Sequence, residues 1–184
     1  STRPYPHYLI QILPPLILII LYTKKFWINT IILITILIYS ILHYKFYFYA
    51  TVSYYQNFIQ YILKQKSTES YRQYFGNNVN NFYKISEYID QNSLVSDHIY
   101  IWSDNPHLYP LSSRLPSTKY ITAYHVLDYI GYDRTISELK TKPPKIIVYN
   151  ISMNRPFPML DQFINNYYYL DDQIGSNYLL FKLR

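Results

Sequence analysis

Two apolar runs without a charge, residues 8–22 and 26–42, are separated only by the polar turn Thr23-Lys24-Lys25. At about 1.5 Å of rise per residue, helices over residues 5–22 and 26–42 reach about 27 and 26 Å, close to the ~30 Å hydrocarbon thickness of a bilayer. The pattern predicts a two-helix transmembrane hairpin over residues 1–44. Its second run holds ten Ile or Leu. Each favours the bilayer centre by roughly 0.3–0.6 kcal/mol, and Asn29, Thr30, Thr35 and Ser40 subtract from the total. Pro14-Pro15 stands in the middle of the first run, where it removes backbone donors and kinks a helix. Membrane helices tolerate that where neighbouring groups satisfy the freed carbonyls, so the hairpin reads as the last spans of a larger bundle. A buried hairpin of a soluble protein is the competing reading, and the lengths count against it.

Residues 45–66 predict a juxtamembrane helix. Tyr44, Phe46, Tyr47, Phe48 and Tyr49 form an aromatic cluster of the kind that sits at headgroup depth. Phe58, Tyr61 and Ile62 recur at i, i+3, i+4, as in a helix lying on a bilayer or facing a core. From residue 67 onward turns punctuate the chain. Ser67 and Thr68 cap a short helix to Tyr74, Gly76-Asn77-Asn78 breaks it, and Phe82, Ile85 and Ile89 mark a helix over 79–91. Strands are expected at His98–Trp102, 119–123 and 145–149, the last buried through Ile146-Ile147-Val148. A hairpin of strands 167–170 and Tyr178–Leu183 turns about Gly175-Ser176-Asn177. Short helices are expected at 107–112, at 135–142 with Thr135-x-x-Glu138 as a capping box, and at 158–165. Strand and helix alternate over residues 67–184, which predicts a small soluble α/β domain with a mainly parallel sheet and an antiparallel terminal hairpin.

Charge divides the chain at the same place. Of 17 Lys and Arg, six (Arg3, Lys24, Lys25, Lys45, Lys64, Lys66) precede the first acidic residue, Glu69, leaving 11 basic against 11 acidic residues. The net charge of +6 therefore belongs to the apolar part. Positive charge beside apolar spans fits lipid headgroups, and nucleic acid is not an expected partner. A lysine pair in a minimal turn favours a cytoplasmic turn with both chain ends outside, although Arg3 and Lys45 balance the bare count. The absence of cysteine excludes thiol chemistry and leaves the redox compartment open. Pro4-Tyr5-Pro6-His7 does not read as a secretory leader, and the chain looks like a piece of a longer membrane protein.

Most catalytic templates fail. Gly76, Gly131 and Gly175 are the three glycines and make no phosphate loop, and no paired-His spacing offers a metal site. Asp171-Asp172 lacks the Asp-x-Asp form of a metal-bound nucleotide-sugar site and reads as turn decoration. No Ser lies in a nucleophile elbow. Neither metal nor cofactor is expected. Trp102 and Asp104 at a strand's carboxyl end, with Arg114 and His125 after neighbouring turns, lie where ligands bind in α/β folds. Asp104-Asn105-Pro106 is equally good turn chemistry, so a structural role competes with ligand contact at these positions.

Several short motifs follow one another in a specific order. Arg3-x-x-Pro6-His7-Tyr8 precedes the run bearing Pro14-Pro15, and Tyr54-Tyr55-x-Asn57-Phe58 comes next. Tyr100-Ile101-Trp102-x-Asp104-x-Pro106-x-x-Tyr109-x-Leu111-Ser112-x-Arg114 is followed by Lys119-Tyr120, Tyr124-His125 and Pro143-Pro144. The succession resembles the carboxyl-terminal part of the GT-C glycosyltransferases, specifically the bacterial family 39 group related to protein O-mannosyltransferases and aminoarabinose transferases. It departs from that pattern at Ser103, where glycine is usual.

The resemblance implies an integral enzyme of the bacterial plasma membrane, its soluble domain extracytoplasmic. Such an enzyme passes a sugar from a polyprenyl-phosphate-linked donor to an acceptor, whether protein, lipid or glycan, on the outer side. It also implies that the acidic catalytic base lies in a loop preceding this chain, so that the chain alone is inactive. Arg3 and His7 are then the expected contacts of the lipid-linked phosphate, the guanidinium offering a planar fork of donors and the imidazole one more. A snorkelling charge for Arg3 and a helix-start hydrogen bond for His7 are the structural alternatives. A membrane-tethered α/β binding or assembly module of the cell envelope is the alternative function.

Overall fold

The computed structural model describes residues 11, 13–22, 25–44 and 50–184, and the chain divides into two compact units, Ser1–Lys66 and Ser67–Arg184. Arg3, His7 and the aromatic cluster at 46–49 lie outside the described residues.

The first unit contains α1 (Leu13–Tyr22), α2 (Phe26–Tyr44) and α3 (Thr51–Ile62). Among the described residues, α2 is the helix long and apolar enough to cross a bilayer, with 19 residues and a length of about 28 Å. A core helix of a soluble protein would bury its apolar side chains. α2 instead buries Ser40 and leaves Ile31, Leu37 and Leu42 exposed. α1 has 10 residues, too short by itself to span. Pro14 and Pro15 occupy its first turn rather than its middle, where a missing N–H breaks no helical hydrogen bond. The Asn29 amide of α2 donates to the Ile20 carbonyl near the end of α1, at 3.1 Å, satisfying one of the acceptors that a helix end leaves open. In α3 the exposed residues Val52, Tyr55, Ile59 and Ile62 share one face. Asn57 is buried and accepts from the Lys66 ammonium at 3.0 Å.

The second unit begins with α4 (Thr68–Gln73) and α5 (Val79–Asn92). Ser67 caps α4 by accepting the Ser70 N–H at 3.2 Å. Then follow β1 (His98–Trp102), α6 (Leu108–Leu111), β2 (Leu115–Pro116), α7 (Ala123–Asp128), α8 (Tyr132–Thr141), β3 (Ile146–Asn150), α9 (Pro158–Tyr167), β4 (Tyr168–Ile174) and β5 (Tyr178–Leu183). They build a mixed five-stranded sheet in the order β2-β1-β3-β5-β4. β1 pairs in parallel with β2 and β3, while β5 runs antiparallel between β3 and β4. The terminal hairpin therefore enters the sheet through its second strand.

Side-chain alternation along the central strands feeds two cores. Tyr100, Trp102 and Ile147 meet Val126 of α7, Leu139 of α8 and Leu160 of α9 on one face. Ile99, Ile101, Ile146 and Val148 meet Ile85 and Ile89 of α5 and Leu108 of α6 on the other. The connection from β1 to β2 thus passes over one face, and that from β2 to β3 over the opposite face. Strand order reverses between β1 and β3, and the crevice beyond their carboxyl ends is the topological switch point at which α/β sheets bind ligands.

Two sequence expectations are corrected. The stretch 119–123 is not a strand: Thr122 is extended, but Ala123 opens α7 and donates its N–H to the Ser103 carbonyl at 3.1 Å. The edge strand is the two-residue β2, ended by Pro116, whose lack of an N–H suits a sheet edge. Thr135 does not cap a helix either. α8 begins at Tyr132 behind Gly131, and Thr135 is buried within it, its hydroxyl without a hydrogen-bond partner.

Candidate functional site

The loops beyond β1 and β3 meet at the switch point. Ser103 is fully buried, and its hydroxyl accepts from the Asn105 amide at 2.6 Å. The same amide reaches the Tyr178 hydroxyl of β5 at 3.3 Å. Asn150 ends β3 and turns the chain by accepting the Ser152 N–H at 3.0 Å and the Ser152 hydroxyl at 2.7 Å, an Asx turn. Asp104 joins three segments. Its carboxylate forms an ion pair with Arg155 from the β3 loop and accepts the Tyr124 N–H, in the first turn of α7, at 3.1 Å. Both partners of the ion pair are about one-third exposed.

The four residues singled out in the second unit fall in four separate places. Trp102 is a core residue, buried on the α7–α9 face with its ring 5.0 Å from Phe157, and it does not reach the crevice mouth as a free contact. Asp104 stands in the crevice. Arg114 lies just before β2, at the amino end of the strands and away from that crevice. Its Nε donates to the Ser93 hydroxyl (3.0 Å), one terminal nitrogen to the Ser112 carbonyl (2.7 Å), and the other to the Ser93 carbonyl (2.9 Å). Asp90 is 3.2 Å away, so the guanidinium is a buried clamp between α5 and the α6–β2 turn. His125 lies on α7, its ring 4.2 Å from Tyr124 and 5.9 Å from Tyr129.

His125 lines a groove of about 360 Å³ together with Lys119, Tyr120 and Tyr129. The Tyr120 and Tyr129 rings stack at 5.8 Å with planes 13° apart. Beside them, burial, the largest influence on Glu138, pushes its carboxyl up. The Lys119 N–H at 2.8 Å, Arg134 at 2.7 Å and the charge of Lys119 together hold it below its ordinary value. A second, more apolar groove of about 420 Å³ lies between α5 and α6, lined by Phe75, Val79, Phe82, Tyr83, His107 and Leu111.

Arg155 is the site residue that sequence reasoning missed. It lies 51 positions from Asp104. The available signal was its place in Met153-Asn154-Arg155-Pro156, a basic residue in the loop leaving the most apolar strand. The crevice holds the Asp104 carboxylate paired with Arg155 and the Ser103 hydroxyl buried against the Asn105 amide. It fixes loop geometry and offers hydrogen bonds. No group of three or more His, Asp or Glu able to hold a metal occurs among the described residues. Neither protein-family models nor curated proteins match this sequence.

Proposed function

We propose that this chain is the carboxyl-terminal part of an integral membrane glycosyltransferase that draws on a polyprenyl-phosphate-linked donor. In this reading the α/β unit is its non-catalytic, extracytoplasmic cap. The apolar runs at 8–22 and 26–42 form the transmembrane hairpin, and α3 lies along the headgroup layer with Val52, Tyr55, Ile59 and Ile62 toward lipid. Arg3 and His7 contact the lipid-linked phosphate at the outer end of the first span, where charge-assisted hydrogen bonds stabilise a departing phosphate.

The observation that carries the proposal is the coherence of the motif from Tyr100 to Arg114, the longest part of the resemblance. β2 covers β1 only at His98 and Ile99. Beyond it the Ile101 N–H donates to the Tyr109 hydroxyl at 3.1 Å. Trp102 fills one core, Asp104 ties three segments at the crevice, the Ser112 hydroxyl closes α6 onto the Leu108 carbonyl at 2.8 Å, and Arg114 clamps the far end. Trp102, Asp104, Tyr109, Ser112 and Arg114 each hold part of one scaffold together, as expected of a cap.

In the full-length protein, Arg3→Ala and His7→Ala should each abolish sugar transfer in a membrane assay while leaving the protein inserted. Unchanged turnover in both removes the phosphate assignment. Sugar release from a polyprenyl-phosphate donor by this chain alone contradicts the non-catalytic reading. The tethered binding module predicts instead that a full-length protein with intact Arg3 and His7 turns over no such donor.

A further inference from the structure

We propose that the row of rings Tyr124, His125, Tyr129 and Tyr120, closed at one end by Lys119, binds a carbohydrate chain that carries a carboxylate or phosphate substituent. The rings follow one another at centroid steps of 4.2, 5.9 and 5.8 Å, each comparable to the width of a pyranose ring. The row starts at Tyr124, whose backbone is fastened to Asp104 at the crevice, and ends in the groove beside Lys119. Tyr129 is 65% exposed and Tyr124 40%, so both present ring surface to solvent. An aromatic face carries a negative quadrupole that attracts the weakly positive C–H edge of a sugar, and phenol and imidazole tips supply donors and acceptors for its hydroxyls. Among the described residues Lys119 makes no ion pair, and the carboxylate that feels its charge, Glu138, is bonded by Arg134 and by the Lys119 backbone N–H. The ammonium stands 5.8 Å over the Tyr120 ring, at the end of the row and, among those residues, without a carboxylate partner of its own.

The row is held in place by its backbone. Tyr129 ends α7, and the next two N–H groups turn back, Ile130 to the Leu127 carbonyl at 3.1 Å and Gly131 to the Val126 carbonyl at 2.7 Å. Ile130 takes a positive φ of 51° although its side chain is 84% exposed. That conformation is the left-handed position of a helix end, and it fixes where α7 stops and where Tyr129 stands. The Tyr120 ring lies where a side chain on Gly131 would stand, 2.5 Å from the place of its Cβ. A phosphate polymer such as nucleic acid fits poorly, because the unit bearing the row has as many acidic as basic residues. The inference goes beyond the transferase reading and stands without it.

The test uses the full chain in nanodiscs of neutral lipid, titrated by calorimetry with tetragalacturonate and with maltotetraose. Tetragalacturonate is expected to bind, with Tyr129→Ala weakening it about tenfold, the scale of one lost stacking contact, at an unchanged unfolding temperature. Gly131→Ala, which displaces the Tyr120 ring, should weaken both sugars. Lys119→Gln should abolish the preference for the acidic sugar and spare maltotetraose. Absence of binding by either sugar overturns the proposal, as does binding indifferent to Tyr129→Ala and Lys119→Gln. If these two substitutions alter only association with added phosphatidylglycerol, the row is a bilayer contact and the proposal falls. A sugar-binding row in a protein that transfers no sugar would defeat the transferase reading alone.

Discussion

Helices α3, α6 and α7 all close with the paired back-bonds of a Schellman motif, yet the residues in the left-handed position are Lys64, Ser113 and Ile130, with φ of 58°, 51° and 51°. Glycine normally fills that position because a Cβ there clashes with the following carbonyl, at roughly 1–2 kcal/mol. Ile130 is the most strained of the three, being β-branched. Ile130→Gly should therefore raise the stability of the α/β unit by about 1 kcal/mol, read as a higher denaturant midpoint at an unchanged slope; a lower midpoint would mean the isoleucine side chain does something that its exposure hides. None of this was legible in the sequence, where the usual glycine signal is missing and Gly131 comes one position late.

His107 gives a pH dependence at the same scale. Its ring lies 4.4 Å from Phe82, and burial holds its imidazole below the ordinary value; burial chiefly, and Lys142 next, do the same to His98. A depressed histidine favours the neutral ring in the fold. Its contribution is present above about pH 6.5 and is lost as pH falls through the lower folded value. The unfolding temperature should thus drop between about pH 7.5 and 5.5, and His107→Gln should flatten that slope in part, leaving the share of His98. A midpoint that rises on acidification would contradict the assignment.

Among elements, what was legible follows from period and length. β1, β3 and β5 read as strands because both their faces or one whole face are buried, and α5 reads as a 3.6-periodic stripe. β2 was not legible, since two residues ending in Pro116 carry no alternation, and its missing partner for Ile101 is supplied by a tyrosine from α6. Asp104 was legible as a strand-end carboxylate. Its pairing with Arg155 was not, because nothing local joins two loops whose meeting depends on strand order.

Arg114 tests this element-level view. It stitches α5 to the turn before β2 mainly through carbonyls of Ser93 and Ser112, while Asp90 is about half exposed. Arg114→Met should cost about 3 kcal/mol through buried carbonyls left without donors, Arg114→Lys should recover only part, and Asp90→Asn should cost under about 1 kcal/mol. Thermal unfolding of the three variants ranks them, and an Asp90→Asn loss as large as that of Arg114→Met would make the ion pair, not the carbonyl clamp, the main contribution.

At the scale of the molecule, an apolar part with six basic and no acidic residues precedes a unit with balanced charge. α2 keeps most of its Ile and Leu side chains exposed, whereas the α/β unit hides Ile99, Ile146 and Leu180 completely. Such a contrast is expected when one part of a chain is solvated by hydrocarbon and the other by water. The chain has no cysteine, so single cysteines report topology without background. The most direct measurement places one at Lys25, in the turn between the apolar runs, and another at Ser137, exposed on α8, and treats intact cells with a membrane-impermeant maleimide. The account predicts labelling of Ser137→Cys in intact cells and of Lys25→Cys only after permeabilisation, with both proteins resistant to carbonate extraction. Labelling of Lys25→Cys from outside, or release of the chain without detergent, would contradict it.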